Sequence, residues 1–93
     1  MNEMVVPDTR AKIRIWWMND DHTFVLLRTG NAEMTLCHIM ECWENDPYGM
    51  VSAYDQDRSP FPECIHGEGR KRKKKFQREV RKYVENIYRD GEP

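Results

Sequence analysis

Residues 70–90 read RKRKKKFQREVRKYVENIYRD. Phe76, Val80, Tyr83, Val84, Ile87 and Tyr88 recur at i, i+4, i+7, i+8, i+11 and i+12. That spacing is one apolar face at the roughly 3.6-residue period of an α-helix. No Gly or Pro interrupts the run, and Gly91 follows it as a stop signal. The pattern predicts a helix over 73–89 with Phe76, Val80, Val84 and Ile87 buried. At about 100° per residue, Lys71, Lys74, Lys75, Arg78, Arg81 and Lys82 fall on the opposite face. The rest of the chain has to supply the surface against which the apolar face packs.

The same stretch dominates the electrostatics. Residues 70–82 hold nine of the fifteen Lys/Arg and one acid, Glu79, for a formal charge of +8. The remaining residues hold six basic and fifteen acidic side chains, a net of −9. The overall charge of −1 therefore hides one strongly positive pole on an acidic body. The stripe works against its own helix. Lys71 with Lys75, Lys74 with Arg78, and Arg78 with Lys82 are like-charged i, i+4 pairs, each costing roughly 0.2–0.5 kcal/mol. Cations in a first turn also oppose the helix dipole. A stripe that repels itself points to an acidic partner, either nucleic-acid phosphate or an acidic protein surface. The competing reading is a solvated face, or one docked on the chain's own acids.

Working outward, residues 11–18 alternate, with Ile13, Ile15 and Trp17 on one side and Lys12, Arg14 and Trp16 on the other. That is a half-buried strand. Residues 23–29, rich in β-formers, make a second strand across the turn Asn19-Asp20-Asp21-His22, giving an antiparallel hairpin. His22 beside two aspartates reads as turn chemistry. Gly30-Asn31 opens a fork. Asn31 caps a helix over 32–44, with Leu36, Ile39, Met40 and Trp43 on one face, or Gly-Asn is a hairpin turn into a strand over 33–40. The Met, Leu and Glu content and the stop at 44–49 favour the helix. Residues 50–55 form a short strand. Residues 56–69, with Pro60, Pro62, Gly67 and Gly69, read as an irregular connection.

The expected fold class is α+β, with a small antiparallel sheet of about three strands packed against a middle helix and the amphipathic C-terminal helix. Ile13, Ile15, Trp17, Leu26, Leu36, Ile39, Trp43, Val51, Val80, Val84 and Ile87 form the expected core. Ninety-three residues suit one domain. Residues 1–10 read as a flexible leader and 11–93 as a single small domain. The longest apolar runs, 15–18 and 24–27, are too short to span a bilayer. Three cysteines cannot all pair within one chain, so a reducing, cytoplasmic or otherwise intracellular setting is the simplest expectation.

The chemical motifs are sparse. His38, Cys42, Cys64 and His66 are the best candidate zinc set, since thiolate and imidazole suit tetrahedral zinc. Their H-x3-C and C-x-H spacings match no common finger, so no metal is favoured. Lys12, Arg14 and Trp16 on an exposed sheet face are candidates for stacking bases and holding phosphate, unless Trp16 is packed beneath other elements. The segment 67–71, Gly-Glu-Gly-Arg-Lys, is Gly-rich and precedes a helix, which suggests phosphate contact at helix amides. It lacks P-loop spacing. The sequence implies no catalytic residue and no cofactor, and leaves oligomeric state open. The leading expectation is a small non-enzymatic binding protein. Its basic helix contacts polyanions through Lys71, Lys74, Lys75, Arg78, Arg81 and Lys82. The alternative is a protein–protein adaptor or inhibitor of the compact kind that mobile elements encode, and the third reading is a zinc-supported domain.

Overall fold

The computed structural model describes residues 13–55 and 60–90. The chain runs β1 (Ile13–Met18), β2 (Phe24–Leu26), α1 (Ala32–Asn45), β3 (Met50–Asp55), β4 (Pro60–His66), a single 3-10 turn (Arg70–Arg72) and α2 (Lys73–Asp90). All strand pairs are antiparallel, and the sheet order is β2-β1-β3-β4. The helices lie on one face of the sheet. This is the expected α+β fold, with one strand more than the sequence suggested. The expected leader, residues 1–10, and Lys12 lie outside the described residues.

The fourth strand corrects the reading of 56–69 as irregular. Pro60 and Pro62 argue against a central strand, but β4 is an edge strand, where a missing ladder donor is tolerated. Its register against β3 also shifts between Ser52 and Tyr54, the kind of irregularity that accommodates proline at an edge.

β1 is pinned by alternation. Ile13, Ile15 and Trp17 are buried, while Arg14, Trp16 and Met18 are half-buried on the helix-free face. β2 is shorter than the expected 23–29. Trp17 pairs with Val25 and Trp16 with Leu26, so Leu26 turns to the helix-free face and Leu27 takes the core position assigned to it. Leu27 is fully buried, and its N–H still donates to the Ile15 carbonyl at 2.8 Å. The remaining expected core residues are buried as read, as is Phe76 on the apolar face of α2, and Ala53 and Tyr83 join them.

The helix reading of 32–44 holds. Asn31 caps α1, its Oδ1 accepting from the Met34 N–H at 3.0 Å. At the other end the Asp46 N–H closes on the Cys42 carbonyl at 2.9 Å. The Asp46 carboxylate then accepts from the Asp20 N–H at 2.7 Å, tying the end of α1 to the β1–β2 turn. Thr29 and Thr35, both buried, meet side chain to side chain at 3.2 Å, and the Tyr88 hydroxyl lies 2.8 Å from Thr35 Oγ1. That hydroxyl also donates to the Thr29 carbonyl, fastening the end of α2 to the start of α1. The Arg28 guanidinium, 3% exposed, sits 4.4 Å above the Tyr88 ring and donates to the Ile13 carbonyl at 2.6 Å.

Candidate functional site

α2 buries Phe76, Val80, Tyr83, Val84 and Ile87 and turns its cations outward. Those cations fall into two groups according to what α1 offers them. α1 runs antiparallel along one flank of α2 and carries Glu33 and Glu44 on the facing edge. Arg81 reaches Glu33 at 2.9 Å and Glu85 at 3.6 Å. Lys73 reaches Glu44 at 2.8 Å and Arg70 reaches it at 3.4 Å. Arg72 pairs with Glu68 at 3.1 Å. The hydrogen bond from Lys73 holds the Glu44 carboxyl below the usual range, and the hydrogen bond to Glu33 raises Arg81 further into the basic range.

The second group is Lys71, Lys74, Lys75, Arg78 and Lys82. All five are exposed, and none of them forms an ion pair among the described residues. Lys74, Lys75, Arg78 and Lys82 occupy one arc of α2, centred away from α1 and the core, and Lys71 precedes them in the 3-10 turn. No acid stands in the first turn of α2, so nothing there offsets the repulsion between Lys74 and Lys75 and the positive end of the helix dipole. Of the six side chains expected as polyanion contacts, five therefore form an unneutralised strip. The sixth, Arg81, lies at its border, engaged with acids.

The other candidates lie elsewhere. Arg14 and Trp16 sit on the helix-free face of the sheet, so they do not extend the α2 strip. Trp16 is half-buried and meets Phe24 edge to face, centroids 6.3 Å apart. Phe24 is 60% exposed, and Met18, Leu26 and Met50 border the pair through the β1–β2 and β1–β3 registers. The sequence reading missed this apolar patch. The alternation that placed Trp16 outward needs only the hairpin register to bring Phe24 and Leu26 to the same face.

The four zinc candidates do not converge. His38 and Cys42 belong to α1, and Cys42 packs against the core, where burial pushes its thiol up to about 11. Cys64 and His66 lie across the sheet, opposite Ser52 and Met50. No group of three or more His, Cys, Asp or Glu gathers around a possible ion among the described residues.

In the segment 67–71, the two glycine amides are turned inward. The Gly67 N–H donates to Gly49 at 2.8 Å and the Gly69 N–H to Pro47 at 2.9 Å, so both amides are used internally. A Cβ on Gly67 would overlap the Pro47 carbonyl, and Gly69 has a φ of 92°. These glycines serve close approach and a left-handed turn. His22, with a φ of 73°, is a turn residue as read. Beside it, Asp21 accepts from the Thr23 hydroxyl at 2.7 Å and the Thr23 N–H at 3.1 Å, which lowers its carboxyl.

Between the helices lies an open groove of about 380 Å³, lined by Leu36 and Met40 with Glu33, Glu41, Glu44 and Arg81 around them. No helix among the described residues is long and apolar enough to cross a membrane. The chain matches no protein-family model, and no curated protein or solved structure matches it.

Proposed function

We propose that this is a small non-enzymatic binding protein that holds nucleic-acid phosphate on the outer face of α2. One observation carries the reading. Cations on the flank facing α1 are neutralised by Glu33 and Glu44, whereas Lys74, Lys75, Arg78 and Lys82 on one arc of α2, and Lys71 in the turn before it, stand exposed without ion-pair partners among the described residues. Such a strip follows a phosphate backbone, giving affinity and position with little base preference.

The test is binding to duplex DNA and to RNA of unrelated sequences across a salt series. Five phosphate contacts give a log–log salt slope of about −4 to −5 on duplex DNA. A slope near zero, or no binding to any nucleic acid at about 50 mM salt, rejects the proposal.

The protein–protein adaptor or inhibitor reading has its own support in the Trp16–Phe24 patch on the helix-free face. Aromatic anchors bordered by Met18 and Met50 are the composition of a protein-binding surface. Under this reading a partner survives moderate salt and is lost on Trp16→Ala or Phe24→Ala. Under the phosphate reading those variants bind nucleic acid normally.

A further inference from the structure

β4 ends the sheet, and its side chains alternate. Ile65 lies opposite Val51 and packs against the core, while Cys64 and His66 are exposed on the helix-free face. Cys64 Sγ and His66 Nε2 stand 3.9 Å apart. Thiolate and imidazole are preferred zinc donors, at about 2.3 and 2.1 Å. An ion at those distances from both atoms would subtend an angle of roughly 125°, so a slight closure of the pair reaches tetrahedral geometry. The strand backbone has already placed both side chains on one face.

Two donors leave a zinc site half built, because structural zinc takes four. The missing pair can come from the outer edge of β4, which no other strand covers among the described residues. Gly67 bonds to Gly49, and in an antiparallel ladder alternate residue pairs exchange bonds. Ile65 therefore exchanges bonds with Val51, and the N–H and C=O groups of Cys64 and His66 point away from β3. A second copy pairing its β4 antiparallel about a twofold axis at Ile65 sets Cys64 of each copy directly opposite His66 of the other. Cross-strand Cβ atoms then stand about 4.5–5.5 Å apart. Two thiolates and two imidazoles come to one face of the ribbon, and the outward backbone groups pair as well.

We infer that the outer edge of β4 is a zinc half-site, completed when two copies join edge to edge around one ion. Each Cys64 thiol releases its proton to solvent on binding, and each His66 ligates as neutral imidazole. The ladder between copies is too short to hold them unaided. Beyond Cys64 the register of β4 is interrupted and Pro62 has no N–H to donate, so regular pairing stops at Cys64 and His66. The dimer therefore depends on the metal. This inference stands apart from the reading of α2.

The full chain, freed of metal and kept reduced by a phosphine, is titrated with zinc sulfate and separately with cobalt(II). The expected result is saturation at one ion per two chains, with a doubling of mass by sedimentation. Cobalt should give a thiolate charge-transfer band and the strong d–d bands of a tetrahedral site. Cys64→Ser and His66→Ala should each abolish uptake and dimerisation. Their metal-free melting should stay unchanged, because both side chains are exposed. Cys37→Ser should behave as wild type. Uptake of one ion per chain without a mass change, or zinc retained by Cys64→Ser, overturns the inference. So does a dimer that forms without metal, one dissolved by reductant rather than chelator, or no uptake at micromolar zinc.

Discussion

The Phe76 ring stacks on the Trp43 indole, centroids 5.6 Å apart and planes 16° apart. Phe76 also meets Trp17 edge-on at 6.2 Å. One side chain of α2 thus contacts α1 and the central strand β1 together, and all three rings are buried. The site depends on this contact, because it fixes the rotation of α2 that turns Lys74, Arg78 and Lys82 to solvent.

Phe76→Ala should therefore destabilise the fold by about 3–5 kcal/mol, the range for deleting a buried aromatic ring. Urea unfolding followed by tryptophan fluorescence measures it directly. A near-neutral result would show that α2 does not dock as described.

Gly67 and Gly30 give a matched pair of predictions. A Cβ at Gly67 would collide with the Pro47 carbonyl and crowd the Trp43 ring, whereas one at Gly30 meets nothing within 4 Å. Gly67→Ala should cost about 1–3 kcal/mol through overpacking. Gly30→Ala should be neutral or stabilising by up to about 1 kcal/mol, through loss of unfolded-state entropy. Equal effects in thermal melts would refute the close approach at Gly67.

The parts of the fold legible in the sequence were those with a clear period. The α2 face, the alternation of β1 and the Asn31 cap each specify an element locally. β4 was illegible because its prolines are penalised by rules for central strands, and only the sheet order makes it an edge. Leu26 and Leu27 were exchanged because adjacent leucines carry no phase of their own, and the pairing with Trp16 supplies it. The division of the α2 cations was invisible for a similar reason. Lys73 and Lys74 look alike in sequence, and only the antiparallel packing of α1 gives the first an acid and leaves the second exposed.

Thiol chemistry separates the cysteines. Cys37 and Cys64 are exposed, while Cys42 is half-buried and its thiol is pushed up to about 11 by burial and then by Glu41. The thiolate is the nucleophile, so an alkylating reagent at pH 8 should modify Cys37 and Cys64 first, with Cys42 reacting only on unfolding. Peptide mass mapping over time resolves the order. Burial raises the folded thiol above its unfolded value. Cys42 contributes fully below the ordinary thiol value, and the contribution fades as pH rises towards about 11. Cys42→Ala should remove that part of the alkaline loss of stability.

The two groups of cations on α2 should respond oppositely to neutralisation. Lys74, Arg78 and Lys82 repel one another at i, i+4 and stand without ion pairs among the described residues, so replacing all three with Gln should leave melting unchanged or slightly raised at low salt. Lys73 and Arg81 hold Glu44 and Glu33 at 2.8 and 2.9 Å, so the Gln double variant should melt lower. Added salt should shrink both differences, because exposed charges are screened. Acid separates them further. Glu44 is held below its ordinary value by Lys73, so its contribution is full above that ordinary value and disappears as pH falls through the lowered one. Below that point the deficit from Lys73 should disappear, while the outer triple variant should gain relative to wild type, because protonation also removes the attraction of Glu79 and Glu85, the acids within one turn of Arg78 and Lys82. Polyanion affinity should follow the opposite ranking, falling steeply in the triple variant and modestly in the double. A triple variant that melts lower at low salt would mean that the strip docks on the chain's own acids, and the proposed binding face would have to be abandoned.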